Sequence, residues 1–149
     1  MQVKRLIYLI LIIFAYPSFA VSVSANSECN ANTLSYNFDN YGVDSYFEIE
    51  FNTVVYNPDY SFKVIENKDG ADIVFEDNTS YGISVCKSIK GKNIKISNYG
   101  FDPDLTIKIL NYGFDYDFTI FNNSKIFSIK EAISVVVIPN FSILDLTKL

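Results

Sequence analysis

Asn98-Tyr99-Gly100-Phe101-Asp102-Pro103-Asp104-Leu105-Thr106-Ile107 is repeated thirteen residues on as Asn111-Tyr112-Gly113-Phe114-Asp115-Tyr116-Asp117-Phe118-Thr119-Ile120, with eight of the ten positions identical. An upstream block follows the same plan. Asn40-Tyr41-Gly42-Val43-Asp44 runs into Phe47-Glu48-Ile49-Glu50-Phe51, and Asn57-Pro58-Asp59-Tyr60-Ser61-Phe62-Lys63-Val64 follows. Gly70-Ala71-Asp72-Ile73-Val74-Phe75-Glu76 comes one further step along. Five copies of turn, polar strand start and alternating residues make an internal repeat.

Within each copy the alternation has period two. Leu105, Ile107 and Ile109 point one way and Thr106 and Lys108 the other; Tyr60, Phe62 and Val64 oppose Ser61 and Lys63 in the same manner. Phe47, Ile49 and Phe51 oppose Glu48 and Glu50. Each copy therefore reads as a strand with one buried and one solvated face. The glycines, asparagines and aspartates between copies supply tight turns. Further strands are expected over 82–87, 93–97, 125–130 and 133–138, with Pro139 as a stop and 140–149 packing as a last strand. No stretch shows sustained helical periodicity, so the expected class is all-β.

Unit length sets the expected topology. A parallel pair ordinarily needs a crossover of a dozen or more residues, and a thirteen-residue unit leaves too few after the strand. The expectation is an antiparallel up-and-down meander that closes as a sandwich or a barrel-like sheet, with a β-solenoid as the minority alternative.

Residues 1–25 read as a signal peptide. Lys4 and Arg5 precede the apolar run Leu6 to Ala15, Pro17 ends it, and two small-residue cleavage motifs follow, Ser18-Phe19-Ala20 and Val23-Ser24-Ala25. Both cleavage points stay open. The apolar run is shorter than the ~20 residues of a membrane span, so no stable membrane insertion is expected after processing. Residues 26–39 are expected as an N-terminal arm and 40–149 as a single repeat domain. Cys29 and Cys86 are the only cysteines; in an exported chain an even pair reads as one disulfide, pinning that arm to the strand holding Cys86.

Composition excludes several chemistries. The chain of 149 residues has no histidine and no tryptophan, which removes the commonest general base and every histidine-ligated metal site. Without residues 1–25 it carries ten basic and seventeen acidic residues, net −7. Phosphate backbones repel such a chain, so nucleic acid is not an expected partner. No cofactor, metal site or catalytic residue is assigned. Two weaker patterns remain. Asp102, Asp104, Asp115 and Asp117 are oxygen donors in turns, as a calcium-stabilised adhesion module would use. Glu48, Glu50, Glu66 and Glu76 are acidic residues of the kind a glycosidase-like hydrolase would pair.

Tyr41, Tyr99 and Tyr112 share one repeat position beside a glycine and are the candidate surface-binding residues, since turn tyrosines make amphipathic contacts. The run from Asp59 through Asp77, with Ala71-Asp72-Ile73-Val74-Phe75 at its centre, resembles a group of small exported bacterial proteins built from iterated Ala-Asp-apolar-x-apolar strands. That resemblance implies an exported β-repeat protein and carries no activity and no site residue. The expected function is an exported, non-catalytic binding or structural module with a protein or surface partner.

Overall fold

The computed structural model describes residues 20–39 and 47–138. Among the described residues there are nine strands: β1 (Val21–Asn26), β2 (Leu34–Asp39), β3 (Phe47–Phe51), β4 (Tyr60–Val64), β5 (Ile73–Asp77), β6 (Ile83–Lys87), β7 (Lys92–Ser97), β8 (Leu105–Leu110) and β9 (Phe118–Asn122). One helix, α1 (Ile129–Val137), follows them. The expected last strand at 140–149, most of the signal segment and Tyr41 lie outside the described residues.

The fold is nearly all β and closes as a barrel in the order β1-β5-β9-β4-β8-β3-β7-β2-β6. Every strand pair is parallel. This overturns the expected antiparallel meander, and the stagger of the strands explains why. Phe51 ends β3 and Tyr60 begins β4, and both lie opposite Ile107 of β8. Val64 and Ile73 likewise both lie opposite Ile120, and Lys87 and Lys92 both lie opposite Tyr36. Each strand thus ends at the level where the next begins, two places around the barrel. The connection has no strand length to retrace. It steps sideways over one intervening strand, about 10 Å at ordinary strand spacing, which the connections of four to eight residues span easily. The dozen-residue rule holds for parallel strands that start level, and here they do not. A solenoid differs as well, because here each coil interleaves with the next and the sheet closes on itself.

Alternation places one apolar set inside. Val23, Tyr36, Ile49, Phe62, Ile73, Phe75, Val85, Ile94, Ile107 and Ile120 are buried, and every strand contributes to this core. The strands expected at 125–130 and 133–138 are replaced by a turn and α1. Residues 132–138 are all buried, nearly two helical turns, so every face of the helix is covered. Its apolar residues belong to the same cluster as the inward residues of all nine strands. The helix fills the barrel interior.

Its approach is set at the strand ends. Asp77, the last residue of β5, accepts from the Ser124 hydroxyl and from the Lys125 amide at 2.8 Å. Asn122 donates to the Phe127 carbonyl at 3.2 Å. These contacts turn the chain inward instead of across the next strand. Ser128 then caps α1: its Oγ accepts from the Glu131 amide, and the Glu131 carboxylate accepts from the Ser128 amide at 2.7 Å. Glu131 also pairs with Lys87 of β6 at 2.7 Å, which ties the helix start to the barrel rim.

Burial pushes the Tyr36 phenol up to about 12. The neutral phenol is thus favoured in the folded state, and its contribution is fully present below pH ~10, the ordinary tyrosine value. Between pH ~10 and ~12 the unfolded chain loses this proton first, and roughly 2 kcal/mol of stability is lost with it. Denaturant midpoints measured across that range should fall for the native chain, and the part due to this phenol should vanish in Tyr36→Phe.

Candidate functional site

The connections are arches across the outer face of the strand they step over. The arch 52–59 crosses β8, 98–104 crosses β3, 111–117 crosses β4 and 65–72 crosses β9, as the strand order requires. Outward side chains meet them. Lys63 donates to the Gly113 carbonyl at 3.0 Å, Ser24 to the Thr79 carbonyl at 3.0 Å, and Glu50 accepts from the Gly100 amide at 3.1 Å. The approach is close enough to require glycine in places. A Cβ on Gly82, at φ +91, would lie 2.5 Å from the Ser22 carbonyl oxygen, and one on Gly91 would lie 2.6 Å from the Ser35 backbone.

The repeated aspartate has a defined position in this scheme. Asp59, Asp72, Asp104 and Asp117 each stand one residue before a strand. Each carboxylate accepts from a backbone amide of the neighbouring strand at 2.7 Å: Asp59 from Thr106, Asp72 from Thr119, Asp104 from Glu48 and Asp117 from Ser61. In three of the four the hydroxyl of the same residue, Thr106, Thr119 or Ser61, also donates to that oxygen. Charge-assisted bonds of this kind are about twice as strong as neutral ones. They fix where each arch lands, and so they fix the stagger.

This arrangement separates the four calcium candidates. Asp104 and Asp117 clamp different strands, Asp102 occupies a turn at φ +60, and Asp115 is exposed. Among the described residues no group of three or more potential ligands converges. Added calcium is expected to leave the melting temperature unchanged, a point calorimetry with and without the ion would check.

Of the hydrolase candidates, Glu48 and Glu50 lie side by side beneath Gly100, and Glu66 and Glu76 lie apart from them. Glu48 pairs with Lys95 at 3.0 Å, and buried Glu50 accepts from Asn52 and Gly100. Glu76 faces Lys68 and accepts from the Tyr81 hydroxyl, while Glu66 is exposed on the arch 65–72. Glu48 and Glu50 share the outer face of β3: the Glu50 carboxylate holds the arch above it through Gly100, and the Glu48 carboxylate holds Lys95 of the neighbouring β7.

The tyrosines stand apart from these internal contacts. Tyr99 and Tyr112 are 89% and 83% exposed. They are accompanied by residues that sequence reasoning missed: Phe101 at 100%, Phe114 at 97%, Tyr56 at 96% and Val54 at 83%. These six sit on three arches that cross β4, β8 and β3, consecutive neighbours in the barrel. A signal for the phenylalanines was available, because Phe101 and Phe114 hold one repeat position two residues after the tyrosine and outside the strand alternation.

Beside this patch, at the rim where α1 enters, lie two adjoining grooves. One of about 580 Å³ is lined by Phe38, Asn98, Tyr99 and Glu131, and the other of about 390 Å³ by Phe51, Val54, Tyr99 and Asn111. Lys130 borders both, donating to Asn98 at 2.6 Å with its ammonium 5.5 Å from the Phe51 ring centroid. Tyr99 stands between patch and grooves. Comparison of the chain with protein-family models, with curated proteins and with solved structures gave no match in any of the three.

Proposed function

We propose that the protein is an exported, non-catalytic binding module that engages a partner protein through the arches 52–59, 98–104 and 111–117. The observation that carries this reading is the set of six large apolar side chains, 83–100% exposed, on three neighbouring arches. Large apolar side chains exposed together on neighbouring arches mark an interaction site. The composition of the arches favours a protein partner. Asn98-Tyr99-Gly100-Phe101 and Asn111-Tyr112-Gly113-Phe114 combine rigid aromatic anchors with small adaptable polar residues, the mix that binding loops use on rigid β scaffolds. The net charge of −7 without residues 1–25 disfavours anionic lipid as the partner. Export to the periplasm or beyond is supported by the leader and by the Cys29–Cys86 disulfide, which belongs to an oxidising compartment. Among the described residues no helix is long and apolar enough to cross a membrane.

A photo-crosslinking residue at position 101 or 114, carried by the chain in the exporting cell, tests this. It should give a discrete protein adduct that the same group at position 68, on the charged arch, does not give. Replacing Tyr99, Tyr112 and Phe114 together by serine should abolish the adduct formed from position 101. Each such surface change should alter stability by no more than about 0.5 kcal/mol. Equal adducts from positions 101 and 68, or none from 101 and 114, would contradict the reading.

A further inference from the structure

We infer that the leader is removed between Ala20 and Val21, so that the mature chain begins at the first residue of β1. The sequence offers two small-x-small motifs, Ser18-Phe19-Ala20 and Val23-Ser24-Ala25, and a signal peptidase reading sequence alone could use either. The barrel tolerates only one. β1 spans Val21–Asn26 and is hydrogen-bonded to β5 on one side and β6 on the other. Val23, Ser24 and Ala25 are at most 1% exposed. Ser24 donates to the Thr79 carbonyl of the arch that crosses β1, and Gly82 of that arch packs on the Ser22 carbonyl.

Cutting after Ala25 would remove five of the six residues of β1. The facing edges of β5 and β6 would lose their partner, and a barrel closed by β1 would open. Cutting after Ala20 leaves β1 whole. Ala20 is exposed and precedes the strand. The Val21 nitrogen donates to the Asp72 carbonyl at 2.8 Å, and that bond survives processing, because the new α-ammonium is also a donor. In the hydrolysis, water adds across the Ala20–Val21 amide: its hydroxyl goes to the Ala20 carbonyl carbon, and the amine leaves with a proton on Val21. The enzyme class required is the membrane-bound signal peptidase that serves exported chains.

The test is N-terminal sequencing of the full chain exported with its own leader. Val-Ser-Val-Ser-Ala is the expected start; a start at Asn26 overturns the inference. An uncut Met1 start in the exported fraction also overturns it while leaving the binding proposal intact, whereas uncut chain retained in the cytosol counts against both. Ala20→Arg should give no chain that starts at Val21, and a Val21 start in that variant would contradict the assignment. In parallel, chains produced to start at Val21 and at Asn26 should differ: the first melts cooperatively and the second does not. Equal melts would remove the structural reason for choosing Ala20.

Discussion

Replacing Ile133 by aspartate is expected to abolish the folded barrel at neutral pH. Ile133 lies on α1, is fully buried, and packs among the inward residues of the strands. A carboxylate there would be unpaired in an apolar interior, at a cost of several kcal/mol, against a total stability of about 5–15 kcal/mol for a domain of ordinary size. A graded series separates burial from general intolerance. Ile133→Val should cost about 0.5–1.5 kcal/mol and Ile133→Ala about 2–5 kcal/mol, because each leaves a larger void in the lumen. Denaturant melts of the three variants check the order. A wild-type midpoint for the aspartate variant would mean that α1 does not occupy the interior.

Removing the disulfide is the second large effect. Cys29 lies on the arch 27–33 and Cys86 on β6, the strand that arch crosses, with Cα atoms 5.5 Å apart. The bond therefore fastens an arch to the strand beneath it, next to β1 and β2. It closes a loop across 57 residues, and the chain-entropy estimate for that length is about 4 kcal/mol. The arch's other described contacts give little compensation, since Asn30 and Thr33 bond mainly to each other. Cys29→Ala with Cys86→Ala, or reduction of the native chain, should lower the melting temperature by roughly 10–20 °C. Calorimetry under oxidising and reducing conditions reads this directly, and coincident melts would show that the arch is held by other means.

The strands and their inward faces were legible because alternation is local. Leu105, Ile107 and Ile109 share the inner face of β8, as Phe47, Ile49 and Phe51 share that of β3, and the inner residues join the core. Strand direction was not legible, since it depends on where Phe51 and Tyr60 fall relative to Ile107. That is a property of the closed barrel and not of either strand. The helix was missed for a different reason. In Ile-Lys-Glu-Ala-Ile-Ser-Val-Val-Val, Lys130, Glu131 and Ser134 do fall on one side at helical spacing, but nine residues are too few for that period to stand out, and the β-branched residues suggest a strand. The signal present was Ser128 followed by Glu131 ahead of an apolar run, the sequence mark of a capping box. At the candidate site, Tyr99 and Tyr112 stood out by their repeat position. The exposure of Phe101 and Phe114 became visible only once the turns proved to be arches lying outside the sheet.

The interleaved parallel barrel is tested most directly by interstrand nuclear Overhauser contacts of Ile107 and its neighbours in an isotope-labelled sample. The structure predicts that β8 shows parallel-type contacts to Phe51 of β3 on one side and to Tyr60 of β4 on the other. Close α-proton pairs between β8 and either β7 or β9, as successive antiparallel strands would give, would contradict it.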